Sequence, residues 1–439
     1  MIPTFHQVSR NLTLRSYPTE KFKSAMLSVS AVLPITRENA CKTSLLLAVL
    51  RRGTIKYPTL AAINARLDYL YGTELSIRNF YRGDSQVIGF SADFLDTVYV
   101  PKEEKLLEGI LEVISQILFH PLLDGNGLLL EKYVESEKKL QCESIRSLKN
   151  SPRAYASEKC RALIYENEPC GAPVFGTEEQ VMAITAKELT AHWKSLLEDM
   201  RLDAFFVGRD ETYVLSALCD VLVPELKSGD AQEKKPVRLH RVFAEPKATP
   251  IYATEELPVS QGQLLIGFRT KVTLTEPGFY ACTLLNEILG ASPISKLFVN
   301  VREKHSLCYH CSSNYNAFKG TLLISCGLEP CNRASAEQEI LAQVEALRCG
   351  DISEEELTAA KKSLENAYRQ LLDSPAAMES YYYGRALLGV DASLERCRER
   401  IRGVTREEIA ELAKDLIPDT VYFLNGTLCG EGGDFDEED

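Results

Sequence analysis

The chain repeats itself once, and this duplication limits the possible folds more than any other feature. Two stretches roughly 220 residues apart share one pattern. Asn150-Ser151-Pro152 is followed by Ala154, Ser157 and Arg161-Ala162-Leu163, and Asp373-Ser374-Pro375 is followed by Ala377, Ser380 and Arg385-Ala386-Leu387. Further on, Ile184-Thr185-Ala186-Lys187-Glu188-Leu189 matches Val404-Thr405-Arg406-Glu407-Glu408-Ile409. Both Thr-x-x-Glu pieces are capping boxes, in which the Thr oxygen accepts from an orphan backbone N–H and the Glu reaches back. Each predicts a helix that leads into a β-rich run, 204–208 in one half and 421–426 in the other.

The strands repeat as well. Residues 75–80 and 85–91 alternate around a turn at Arg82-Gly83-Asp84, a hairpin pattern. In the second half a strand from 308 to 315 turns near Lys319-Gly320 into a strand over 321–327. Apolar residues at helical spacing follow each hairpin, over 106–118 and 340–347, and Ser353-x-x-Glu356 caps a further helix. The expected fold class is α+β: two homologous halves, each an antiparallel-rich sheet with helices packed on one face. The first half is expected over 1–226, a polar linker over 227–245, the second half over 246–430, and an acidic tail over 431–439 with six acidic residues in nine.

A net charge of -12 argues against nucleic acid and anionic membrane as main partners, because their phosphates would repel the chain. No run approaches the length that spans a bilayer, and residues 1–30 carry no apolar signal region. With thirteen scattered cysteines, an odd number in a long chain, the expected compartment is the cytoplasm and the expected state is reduced. Cys308-Tyr309-His310-Cys311 has CxxC spacing. A metal ribbon needs a second such pair and a redox site needs a helix N-terminus, so the pair reads as structural.

The six histidines are His6, His120, His192, His240, His305 and His310. A zinc hydrolase of the helical kind needs two of them one turn apart with a Glu that activates water, and no two here are four apart. Each reads as a surface or hydrogen-bonded residue. No Gly-x-Ser-x-Gly elbow, Walker lysine loop or dinucleotide fingerprint is present.

Ser44-Leu45-Leu46-Leu47-Ala48-Val49-Leu50-Arg51-Arg52-Gly53-Thr54 has the frame of a zinc helix that normally reads His-x-x-Glu-His, an apolar stretch, a basic residue and Gly-Thr. Leu289-Gly290-Ala291-Ser292, Ser295-Lys296-Leu297-Phe298 and Val301-Arg302-Glu303-Lys304-His305-Ser306-Leu307-Cys308-Tyr309 resemble a second stretch of the same proteins. From about residue 22 to 426 the chain thus resembles the insulinase, pitrilysin and mitochondrial-processing-peptidase family. Among bacterial members it is similar to the zinc-less type named for association with 5-aminopentanol modification of elongation factor P, a name that assigns no chemistry.

The resemblance implies two halves that face each other as a clamshell around a peptide chamber. It puts Ser44 at the first zinc-histidine position, Leu47 at the catalytic glutamate and Ala48 at the second histidine. Glu135 or Glu137 would stand at the third ligand. Leucine cannot take a proton from water and alanine cannot bind zinc, so no cofactor and no activity are expected of this chain alone. It further implies that Arg302 and Tyr309 hold peptide and stabilise charge on a scissile carbonyl, for which a guanidinium and a phenol are suited donors. The implied partners are a zinc-containing paralogue in a heterodimer, with zinc in that partner, and unfolded peptide. A non-proteolytic scaffold of the same fold is the alternative.

Overall fold

A computed structural model describes residues 2–198, 200–226, 239, 242–244, 247 and 249–428. The expected linker falls largely outside these residues and the acidic tail wholly outside them. Alternation of apolar and polar residues sets the strands, and two sheets result. The first holds β1 (Thr4–Ser9), β2 (Leu12–Pro18), β3 (Ser24–Pro34), β4 (Glu74–Arg82), β5 (Ser85–Leu95) and β6 (Leu202–Gly208), in the order β1-β2-β6-β3-β5-β4. The second holds β7 (Ile251–Leu257), β8 (Gly262–Arg269), β9 (His310–Asn316), β10 (Thr321–Leu328) and β11 (Ile417–Gly426), in the order β7-β11-β8-β10-β9.

With the outer strand β1 set aside, the two orders correspond strand for strand. Each sheet has one parallel pair, β2 with β6 and β7 with β11, and its other pairs are antiparallel. The α+β class and the two homologous halves stand. The capping boxes form as expected: Thr185 with Glu188 opens the Ala186–Glu198 helix and Thr405 with Glu408 opens the Arg406–Lys414 helix. Ser353 and Glu356 do the same for Glu354–Gln370. The strand expected from 308 begins two residues later, at His310.

The compact units do not coincide with the two halves of the sequence. One unit comprises Met1–Arg146, Glu168–Val242 and Arg369–Leu394; the other comprises Ser147–Asn167, Phe243–Tyr368 and Glu395–Asp439. Each half of the chain gives one helix to the other half's sheet, which corrects the contiguous boundaries at 1–226 and 246–430. The exchanged helices are Pro152–Ile164 and Pro375–Leu388, the two that open with the repeated Ser-Pro. Proline at the first helical position is preorganised for the helix and gives up no hydrogen bond there.

The expectation of helices on one face is also incomplete. In the first sheet Leu12, Leu14, Leu27, Val29, Phe90, Ala204 and Phe206 point to one side and join the main apolar core with the helices above it. The alternate residues point the other way, and there the Pro375–Leu388 helix lies. Its Glu379 bonds Ser28 of β3 and pairs with Arg78 of β4 at 2.5 Å, and its Tyr383 bonds Asp203 of β6 at 3.3 Å. The second sheet is built in the same way. Leu264, Ile266 and Phe268 of β8 enter the core, while Gly267 and Arg269 meet the Pro152–Ile164 helix. A Cβ on Gly267 would come within 2.5 Å of the end of the Ile164 side chain, which would have to shift. Arg269 donates to the Ile164 carbonyl at 2.5 Å. Accordingly β8 is buried at every position, the pattern of a strand covered on both sides.

The Glu379 carboxylate is nearly inaccessible at 4% and the Arg78 side chain at 12%. Removing one partner of such a pair leaves a buried charge without compensation. Glu379→Ala is expected to lower stability to urea denaturation by about 3–5 kcal/mol. A loss below about 1 kcal/mol, the worth of an exposed pair, would contradict this packing.

Candidate functional site

The zinc-helix frame lies on the first unit's Asn39–Leu50 helix, apolar over most of its surface and buried at every position but Asn39, Lys42 and Ala48. Hydrophobicity over the whole circumference marks a core helix. Leu47 is 2% exposed and belongs to the main core. Ala48 presents a half-buried methyl group. Ser44 is enclosed by polar partners. Its Oγ lies 2.6 Å from the Val174 carbonyl and 3.0 Å from that of Ala40, and accepts from Asn79 Nδ2 at 2.8 Å. Asn79 Oδ1 in turn accepts from Gln86 Nε2 at 2.7 Å. A hydrogen-bonded knot therefore ties the helix to β4 and β5 at Ser44, where the resemblance would put a first ligand.

The third position fares no better. The Glu131–Ser147 helix turns Glu137, Lys138 and Gln141 inward. Glu137 pairs with Arg52 at 3.0 Å; burial pushes its carboxyl up and Arg52 partly offsets this. Glu135, with its side chain 40% exposed, pairs with Lys138 at 2.7 Å. Both carboxylates already serve cations of the same unit. Gln141 bonds the Phe175 carbonyl at 2.8 Å, so the loop at Val174 and Phe175 links this helix to the Asn39–Leu50 helix.

His192 takes the hydrogen-bonded role expected of each histidine. Its Nε2 lies 2.9 Å from Oγ1 of Thr43, the residue before Ser44, and the ring is half-buried. Burial, with a smaller contribution from Lys42, pushes it down to about 4. Among the described residues one cluster of metal-ligand type exists, at Asp84, Glu168 and Cys170, all buried. It uses none of the zinc-helix positions, and Asp84 is engaged by the N–H groups of Cys170 at 3.1 Å and Val242 at 2.6 Å.

Arg302 and Tyr309 belong to the second unit. Arg302 lies in the last turn of a wide, π-type helical segment, Leu297–Lys304, anchored by buried Leu297 and Val301. Its guanidinium lies 4.8 Å above the Phe298 ring and 3.7 Å from Glu303, and its side chain is 42% exposed. Tyr309 is 50% exposed. Its phenol donates to Glu329, and that hydrogen bond pushes the phenol up, which keeps it a donor. A turn with Ser306 in the left-handed region separates the two residues.

The description "Peptidase M16 inactive domain" matches residues 183–364. The chain is 30% identical over 416 residues to the probable inactive metalloprotease YmfF of Bacillus subtilis (strain 168), covering 95% of this chain and 96% of that one. The chain belongs to the insulinase, or M16, peptidase family. Its similarity to an uncharacterized zinc protease, YmxG of the same organism, is 23% over 349 residues, covering 77% of this chain and 80% of the relative. A conserved protein from Enterococcus faecalis V583 superposes with a TM-score of 0.86 at 25% identity, covering 97% and 99% of the two chains. A protease from Helicobacter pylori shares the fold, with a TM-score of 0.79 at 15% identity over 97% and 100% of the chains. Within the M16 family this chain is an inactive homologue: Ser44, Leu47 and Ala48 offer neither an imidazole nor a carboxylate.

The depressed His192 predicts a pH dependence. Its ordinary value is 6.5 and its folded value about 4. The unfolded chain therefore binds the proton first, and stability falls as pH drops from about 6.5 toward 4. Urea midpoints measured across that window should fall less steeply for His192→Asn. An unchanged slope would show that His192 is not held neutral.

Proposed function

We propose that this chain is the non-catalytic, peptide-holding subunit of a two-chain M16 peptidase. It offers Arg302 and Tyr309 to an active site whose zinc sits on a zinc-bearing paralogue. One observation carries this reading: ligand-free zinc positions occur in the same chain as two accessible donors. Ser44 is committed to internal hydrogen bonds, whereas Arg302 and Tyr309 remain substantially exposed. Stacking on Phe298 limits the freedom of the guanidinium, and a donor fixed before reaction costs little reorganisation when charge develops on a carbonyl oxygen. The Tyr309 O–H is spent on Glu329 and turns to substrate only once that bond is released. Similarity to both a probable inactive and a zinc-named relative from a single organism further supports a paired arrangement.

In this proposal the substrate is unfolded peptide, taken up as an added strand at a sheet edge, which gives affinity without strict sequence reading. This chain binds no zinc and its partner binds one. The pair works in the cytoplasm, away from nucleic acid and membrane. No helix among the described residues is long and apolar enough to cross a membrane, and the described cysteines are free thiols, which agrees with a reducing compartment.

Mixing the chain with its zinc-bearing paralogue is expected to raise peptide hydrolysis. Arg302→Ala should abolish the gain, and Tyr309→Phe should cut kcat by roughly 100-fold, the cost of losing one oxyanion donor. Binding of peptide with no change in the paralogue's turnover would favour the scaffold reading. Chelator-sensitive hydrolysis by this chain alone would end the proposal.

A further inference from the structure

A cavity of about 780 Å³ opens in the first unit, where the chain leaves β5 and β6 and enters two helices. We propose that it binds a small organic ammonium, a protonated amine carried on an apolar body. The cavity includes none of the zinc-helix positions. Val100, just after β5, and Leu106, which opens the Leu106–Phe119 helix, give it a buried apolar lining. Val98 adds to that lining and is itself 60% exposed. The polar lining comes from Arg209 and Asp210, which follow β6, and from the first turns of the Glu211–Val221 helix. Volumes of about 300–1,000 Å³, with apolar walls and a few polar groups that set orientation, are typical of small-molecule sites.

The sign of the charge follows from which groups are already engaged. Arg209 is spent within the protein: its guanidinium lies 3.4 Å from the buried Asp96 carboxylate and 3.6 Å from that of Glu20. The positive end of the Glu211–Val221 helix is compensated as well. Asp210 Oδ1 accepts from the Tyr213 N–H at 2.9 Å, and Glu211 stands in the first turn. Glu211 in turn meets Thr4 and His6. Asp210 is exposed, and no cation among the described residues pairs with it. An anion entering here would face Asp210 and Glu211, with the one guanidinium and the helix end already neutralised. An ammonium would meet an uncompensated carboxylate, with the Thr97 and Thr212 hydroxyl oxygens as further acceptors for its three N–H groups.

The apolar lining decides between a bare and an organic cation. A hydrated inorganic ion would leave Val98, Val100 and Leu106 facing water. An amine on an aliphatic or aromatic body covers them and gains the apolar area removed from solvent. The inference does not depend on the proposed subunit role.

The test uses the full chain and three indoles of similar size: tryptamine, tryptophol and indole-3-propionate, which are cationic, neutral and anionic at neutral pH. Isothermal titration calorimetry should find tryptamine bound about fivefold more tightly than tryptophol, the upper worth of one exposed ion pair, and indole-3-propionate weakest. Asp210→Asn removes the charge and keeps a side chain that caps a helix equally well. It should erase the advantage of tryptamine and leave the affinity for tryptophol unchanged. Asp351→Asn, at an exposed position of the second unit, should alter neither. The proposal is overturned if tryptamine shows no Kd below about 1 mM, or if tryptophol or indole-3-propionate matches it. It is equally overturned if Asp210→Asn leaves the preference intact, or if Asp351→Asn lowers it as much.

Discussion

Burial of the Asn39–Leu50 helix is the constraint on which the first unit depends. A helix that held zinc would expose two imidazoles and a carboxylate on one face. Here Leu47 occupies the carboxylate's place inside the core, where full burial of a leucine contributes about 1.5–3 kcal/mol. A glutamate at that depth would be a costly charge without a metal to balance it. Ser44 satisfies its own polarity through Val174, Ala40 and Asn79. The helix is held by packing and internal hydrogen bonds.

The same reasoning explains why the frame around the lost motif survives. A Cβ on Gly53 would meet the Pro58 carbonyl oxygen at 2.5 Å. Thr54 is fully buried; its N–H bonds the Tyr57 carbonyl at 2.8 Å and its Oγ1 accepts from the Tyr57 N–H at 2.9 Å. Arg52 holds Glu137. These residues serve the turn after the helix, whether or not zinc is bound, and they kept the motif recognisable in sequence.

Local signals in the sequence were read correctly because their physics is local. The capping boxes at Thr185, Ser353 and Thr405 and both hairpins needed only residues a few positions apart. The destinations of the helices were not legible. Ser-Pro at 151–152 and 374–375 marks where a helix begins, and nothing in it says which sheet the helix will cover. That information resides in distant partners such as Arg78 with Glu379 and Gly267 with Ile164. The candidate site divides in the same way. The substitutions at Ser44, Leu47 and Ala48 were visible, whereas the Ser44–Asn79–Gln86 knot depends on strand pairing.

Both units thus stand on apolar cores and buried polar contacts, without any metal in the account. Thermal unfolding of the purified chain, in chelator and in a large excess of zinc, tests this most directly. A site that binds zinc only in the folded state raises the midpoint as zinc rises, by about 2.7 kcal/mol at a hundredfold excess over Kd. Equal midpoints are expected in both conditions. A midpoint that climbs steadily with zinc, with one ion retained per chain, would contradict it.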